Sequence, residues 1–314
     1  MILEKYRAQV DLLLTILPHV AKEHNLALKG GTAINLFEND MPRLSVDIDL
    51  TYVNGDEDRV TALKNISDIL DRIQKRILSA VPEISLTRVP PGQGEDAKLN
   101  CQTKDAHVKI EVNTITRGII YPERLMEVKE IVQNEFKKFA AMYVVSHGEL
   151  YGGKICAALD RQHPRDLFDI HLLLQNEGIT EEIRLGFITF MLSHPRPMNE
   201  LLNPNEKDQQ SAFDNQFKGM TAIPFTYEDF VATRKQLVIE VNRCLTEDDK
   251  KFLQSFKNGE PQWDIIPIDN LQKLPAVRWK LDNILNLITN NPKKHAELKK
   301  TLGGILQQDF YYDL

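Results

Sequence analysis

Two aspartates, Asp47 and Asp49, sit one residue apart in "SVDIDLTYV", a run whose β-branched and aromatic residues read as a strand. Residues two apart in a strand point the same way, so the two carboxylates lie side by side while Val46, Ile48 and Leu50 face a core. Charges of one sign held that close raise one another's pKa, and burying them is costly. A divalent cation resolves the conflict, and hard oxygen ligands suit Mg²⁺ or Mn²⁺. A third carboxylate is available in "HVKIEVNTI", where Val108, Ile110 and Val112 alternate with Lys109, Glu111 and Asn113. That alternation puts Glu111 on the polar face of a neighbouring strand. Three carboxylates from two adjacent strands are enough to hold two metal ions, an arrangement that activates a hydroxyl and supports a leaving phosphate.

Upstream, Gly30 and Gly31 separate a short strand, "LALK", from a helix expected to start at Thr32 as its N-cap. Without Cβ atoms the backbone can approach a phosphate closely, and the free N–H groups of a helix start favour an anion. A glycine pair or an alternating acidic strand is common by itself. Together at this spacing, with Glu111 to follow, they point to chemistry on phosphates.

The elements that position these residues are legible along the chain. Residues 2–24 read as an amphipathic helix through Leu13, Ile16, Leu17 and Val20, and residues 56–80 as a second, charged one. "AKLNCQT" and "HVKIEVNTI" form a hairpin around "KDA", and "AAMYVVS" is a further short strand. From about Leu150 the pattern turns helical, in "GGKICAALDR", "RDLFDIHLLLQ", "EEIRLGFITFML" and "LDNILNLIT". The expected organisation is therefore α+β over residues 1–146 and mainly helical over 147–314. The Pro- and Asn-rich stretch 193–210 carries the strongest loop signal and reads as an exposed linker.

In the helical part, Lys154, Ala158 and Arg161 fall on one stripe, a basic ridge suited to face an acid-rich cleft. Pro164 ends that helix and opens the next, which puts Asp166 in a first turn, where a carboxylate is favourable simply as a dipole partner or cap. His163, Asp166 and His171 do not have the spacing of a metal cluster. The paired lysines at 137–138, 293–294 and 299–300 read as solvated helix faces, Cys156 as packing, and Trp263 and Trp279 as core or interface anchors.

Composition sets the outer bounds. The 314 residues are 42% hydrophobic and 27% charged, ordinary for a globular protein, and the net charge of −6 excludes a surface that binds nucleic acid as a whole while leaving room for a local basic patch that does. No apolar run is long enough to span a membrane. Glu4, Lys5, Arg7 and Asp11 interrupt the core a signal peptide would need. Cys101, Cys156 and Cys244 lack CxxC spacing, which argues for reduced thiols, against zinc, and for a cytoplasmic location.

"KGGTAINLF…RLSVDIDL" resembles the hG[G/S/T]…DxD signature of nucleotidyltransferases with the DNA polymerase β-like fold. More closely, the chain resembles the AbiEii/AbiGii group of bacterial nucleotidyltransferase toxins, which includes the MenT-type toxins. That group's later motif, a lysine, an arginine and then RDxxD, is matched by "KICAALDRQHPRDLFDIHLLL", and "LPAVRWKLDNI" is similar to its C-terminal helix. The main match covers roughly residues 25–175. The resemblance implies a polymerase β-like core, a small mixed sheet with flanking helices. It also implies that Gly30, Gly31 and Thr32 hold a triphosphate and that Ser45, Asp47 and Asp49 form an SxDxD core that binds metal and carries the transfer. Glu111 would take the third-carboxylate place at the metal and help deprotonate the attacking hydroxyl. Lys154 matches the lysine that neutralises phosphate charge, and Asp166 and Asp169 the RDxxD acids, with Asp169 the functional one. Arg43 and Arg165 would steady phosphates or an RNA backbone.

The activity implied is Mg²⁺- or Mn²⁺-dependent nucleotidyl transfer from an NTP to a tRNA 3′ end, by the toxin of a toxin–antitoxin or phage-defence pair with a cognate antitoxin. The alternatives are an NTP-binding or phosphoryl-transferring protein, or a non-catalytic regulatory module, on the same fold.

Overall fold

The computed structural model describes residues 4–89, 97–308 and 310. The chain forms two compact units, Met1–Ser146 with Phe217–Pro224, and His147–Gln216 with Phe225–Leu314. The short second segment is tied into the first unit by backbone pairing. Leu44 N–H donates to Met220 O at 2.7 Å, the Thr221 hydroxyl donates to Pro42 O at 2.8 Å, and Arg43 bridges Thr221.

The first unit is built on a seven-stranded mixed sheet. Its strands are β1 (Leu26–Lys29), β2 (Asp47–Tyr52), β3 (Ser85–Val89), β4 (Ala97–Gln102), β5 (His107–Asn113), β6 (Arg124–Glu127) and β7 (Ala141–Val144), in the order β3-β4-β5-β2-β1-β7-β6. β2 runs parallel to β5 and antiparallel to β1, and β4 and β5 make the hairpin expected around "KDA". Period-2 alternation gives the centre of the sheet two unlike faces. Ile48, Leu50, Val108, Ile110, Val112, Leu99 and Cys101 are fully buried. Lys29, Asp47, Asp49, Lys109, Glu111, Lys98 and Asn100 are half-exposed.

Helices α1 (Glu4–Val20) and α3 (Arg59–Ala80) pack on the sheet and on each other. Asp58 caps α3, its carboxylate accepting from Val60 and Thr61 N–H. α1 ends at Val20, short of residue 24, and beyond it Glu23 ion-pairs with Arg72, 2.6 Å away, and Arg76, both on α3. The start of the expected helix at residues 2–3 lies outside the described residues.

A second expectation is corrected at the glycine pair. The helix does not begin at Thr32 as N-cap. α2 (Gly30–Thr32) opens directly from β1 with Lys29 as its N-cap and continues as a π-helix, Ala33–Glu38. Gly30 makes the sharp entry at φ +73°, a conformation that costs a residue with a Cβ about 1–2 kcal/mol.

The second unit is helical: α5 (His147–Arg161), α6 (Pro164–Asn176), α7 (Glu181–Ser193), α8 (Met198–Leu202), α9 (Gln210–Ala212), α10 (Tyr227–Arg243), α11 (Glu247–Lys257), α12 (Pro275–Asn290) and α13 (Pro292–Gln307), with α4 (Glu130–Phe136) in the first unit. The glycines before Lys154 are packing residues. A Cβ on Gly152 would lie 2.2 Å from the Gly186 carbonyl carbon, and one on Gly186 2.0 Å from Gly148 O, so α5 and α7 cross backbone to backbone.

The stretch 193–210 is not an exposed linker. It contains α8, whose Met198, Leu201 and Leu202 are buried. Its following loop is held by Gln162, which donates to Asn205 O at 2.8 Å and accepts from Lys207 N–H at 2.9 Å, and by Arg234, which donates to Lys207 O at 2.8 Å. Trp263 packs against Phe252 and Phe256, but Trp279 is 49% exposed and anchors no core. The three cysteines are free, and burial pushes the Cys101 thiol up to about 12. Among the described residues no helix is long and apolar enough to cross a membrane.

Candidate active site

In the first unit the half-exposed face of the sheet carries a checkerboard of charge. Register puts Asp49 of β2 opposite Lys29 of β1 on one side and Glu111 of β5 on the other, and Asp47 opposite Lys109. The β4–β5 register then puts Lys98 opposite Glu111. Residues paired in this way share a face, so three carboxylates and three lysines meet on one surface.

Glu111 is held by two lysines. Lys98 Nζ lies 2.8 Å from one of its oxygens, and Lys109 ion-pairs with the other. Burial by itself would raise its pKa, but the two lysines more than offset that and hold the carboxyl below its ordinary value. Lys98 and Lys109 were not singled out from the sequence. The signal was present, since counting back from the "KDA" turn pairs Lys98 with Glu111.

The glycine pair meets the acidic strand at close range. A Cβ on Gly30 would lie 2.7 Å from Asp49 Oδ2, so only glycine leaves that carboxylate its position. A Cβ on Gly31 would lie 2.8 Å from an Arg43 guanidinium nitrogen and 2.9 Å from Ser45 Oγ. Beneath them the Thr32 hydroxyl, 1% exposed, lies 3.1 Å from Ser45 Oγ and donates to Asp47 O. Asn35 Nδ2 donates to Gly31 O at 2.9 Å, and the buried Arg43 donates to Leu44 O at 2.9 Å. Gly30, Gly31, Thr32, Arg43, Ser45, Asp47, Asp49 and Glu111 thus lie close together in the first unit, the three acids on the half-exposed face and Gly31, Thr32, Arg43 and Ser45 buried beside it.

Lys154, Asp166 and Asp169 form a second cluster, inside the helical unit. Lys154 Nζ, on α5, lies 2.8 Å from Asp166 and 3.0 Å from Asp169, both on α6. Arg161 adds a forked contact to Asp166, at 2.5 and 3.0 Å. All three central side chains are buried, so burial would raise the Asp166 carboxyl. Lys154 and Arg161 outweigh it and hold it far below the carboxylate range. Lys154 therefore does not present a free basic ridge, because its charge is shared between two acids of its own unit. Arg165 is half-buried next to His163, whose ring caps α6 by accepting from the Arg165 N–H at 3.2 Å.

His163, Asp166 and His171 make no metal cluster. Asp166 belongs to Lys154, and His171 Nδ1 lies 3.0 Å from the Thr233 hydroxyl. Among the described residues no three His, Cys, Asp or Glu side chains are grouped to hold a metal ion. Asp47 and Asp49 nevertheless fit Mg²⁺ as a pair of hard oxygen donors on an accessible face. Glu111 would have to give up a lysine to join them.

Residues 11–283 match a protein family described as nucleotidyl transferase AbiEii toxin, type IV toxin–antitoxin system. The chain belongs to that family. It is a nucleotidyltransferase toxin of the AbiEii type. In fold it is similar to MenT4, a nucleotidyltransferase toxin from Mycobacterium tuberculosis H37Rv, at 13% identity and TM-score 0.60, over 90% of this chain and 93% of that one. The GLD-2/RNP-8 complex aligns over 98% of this chain and 93% of that one at 11% identity, with a TM-score of only 0.24. No curated protein matches the chain in sequence.

Proposed function

We propose that this AbiEii-family chain transfers a nucleotidyl group from an NTP to the 3′-hydroxyl of a tRNA, releasing pyrophosphate. The observation that carries the reading is the pair Asp47 and Asp49 on the open face of β2, with Gly30 vacating the space that the Asp49 carboxylate needs. Asp47 and Asp49 are the residues that would hold Mg²⁺ (or Mn²⁺). When bound, the ion supplies charge neutralisation for the phosphates and for the oxygens exchanged in the transfer.

The rest of the work belongs to the chain's own groups. On the resemblance of their motif, Gly30, Gly31, Thr32, Arg43 and Ser45 are assigned to the triphosphate, with Thr32, Arg43 and Ser45 buried beneath the glycine backbone that a phosphate can approach closely. Glu111 stays ionised under Lys98 and Lys109, ready to accept the proton of the attacking hydroxyl. Its basicity rises if a phosphate draws one of those lysines away. On the resemblance of their motif, Lys154 and Asp169 are assigned to the same reaction, and Arg165 and Asp166 to nucleotide binding. Because Lys154 is shared by two buried acids, its first task is to hold Asp166 and Asp169 in place on α6. Positioning and charge neutralisation supply most of the rate.

An added nucleotide buries the tRNA's terminal hydroxyl under a new residue, which gives the toxin its effect and a cognate antitoxin its purpose. NTP and tRNA place that effect in the cytoplasm. The test is to incubate the protein with tRNA, Mg²⁺ and NTP labelled at either the α- or the γ-phosphate. Label from the α position on RNA is expected. Label from the γ position alone would replace nucleotidyl with phosphoryl transfer.

A further inference from the structure

We infer that the helical unit carries a second anion site, a phosphate-sized cavity between α11 and α13 formed by none of the residues assigned above. The cavity has a volume of about 180 Å³ and is lined by Gln254, Lys257, Asn258, Lys299, Gly303 and Gln307, with Leu302. Taking about 30 Å³ per water, it holds roughly six waters, which suits one tetrahedral oxyanion and not a whole nucleotide.

Lys257 is the centre of the argument. It is 6% exposed, and its side chain makes no hydrogen bond or ion pair among the described residues. Every other buried lysine described has its acceptors. Lys154 has two carboxylates, and Lys280 donates to Met191, His194 and Arg196 carbonyls at 2.7–2.8 Å. The stem of Lys257 is buried while its ammonium, with three donors and no acceptor on the protein, is left to the cavity, where a bound anion would complete it. Burial alone lowers its pKa, and no carboxylate opposes the shift.

The second observation is Gly303, in the interior of α13. Glycine there weakens the helix. Close packing is not the reason, because a Cβ at this position would meet nothing within 4 Å. Gly303 lines the cavity, and a larger side chain there would have open space to enter. The chemistry favours phosphate over a carboxylate. Lys257 and Lys299 bring two positive charges, and the amides of Gln254, Asn258 and Gln307 bring further donors, which match a dianion with several acceptor oxygens.

Calorimetric titration of the full-length protein with inorganic phosphate at pH 7 in low-chloride buffer tests this, alongside K257M and G303L. Saturable one-to-one binding is expected, weakened at least tenfold by either substitution and not displaced by equimolar acetate. A tetranucleotide with and without a 5′-phosphate, titrated in the same way, separates an RNA terminus from the free ion as the source. K257M removes an unpartnered charge, so it should melt no lower than the wild type in phosphate-free buffer. A K257M that melts well below the wild type has lost a structural donor, which means Lys257 already had its acceptor within the protein and overturns the proposal. No saturable binding, binding equal in all three proteins, or displacement by acetate would overturn it as well.

Discussion

Replacing Lys154 with methionine should unfold the helical unit before it reveals anything about catalysis. Methionine keeps much of the side-chain volume and removes the charge. Two buried carboxylates then lose their shared cation, at 2.8 and 3.0 Å. Asp166 retains Arg161, whose side chain is 61% exposed and adapts readily. Removing one partner of a buried pair costs about 3–5 kcal/mol, because the remaining charge is left uncompensated. For a unit of this size 1 kcal/mol corresponds to about 2–4 °C, so the midpoint should fall by ~6–20 °C. Scanning calorimetry of K154M, D169N and the double variant measures both the loss and its cause. If the lost Lys154–Asp169 pairing is responsible, the double variant should lose less than the sum of the singles, with a coupling of about 1–3 kcal/mol. A K154M midpoint within a degree or two of the wild type, or strictly additive losses, would refute the reasoning. Transfer activity of K154M is interpretable only below the temperature where it begins to melt.

Two further outcomes are expected. G30A should destabilise the first unit by about 1–3 kcal/mol through its positive φ, and should lose far more activity than stability, because the new Cβ takes the place of Asp49 Oδ2. G31A, with no positive φ, should cost less stability and act mainly on the KM for NTP, read by steady-state kinetics. In acid, the depressed Asp166 carboxyl gives stability that is fully present above the unfolded value of about 3.9. It is lost as pH falls below that toward the folded value. Melting curves from pH 6 to 2 should show that part of the decline in the wild type and not in D166N.

What could be read from the sequence follows the reach of each signal. Period-2 alternation in "SVDIDLTYV" and "HVKIEVNTI" fixed which face the acids occupy, because a one-residue error would have buried every charge. The entry to α2 was misread, since a helix that springs straight from a strand through a positive-φ glycine has no cap residue to announce it. The loop at 193–210 carries every composition mark of a linker, yet Gln162 and Arg234 hold it from afar in sequence, and no local pattern encodes that. Lys154, Asp166 and Asp169 could be picked out as a motif. Their mutual neutralisation could not, because it depends on how α5 and α6 pack.

The central claim is that the Asp47–Asp49 face drives nucleotide addition. The most direct measurement is transfer of α-labelled NTP onto total tRNA in Mg²⁺ by wild type and D49A, with melting curves to establish that both are folded. The account predicts label on the 3′ end for one or more of the four NTPs, reduced about 10³-fold or more in D49A, as the loss of several kcal/mol of charge stabilisation requires. Undiminished labelling by a folded D49A, or no label on RNA with any NTP, would contradict it.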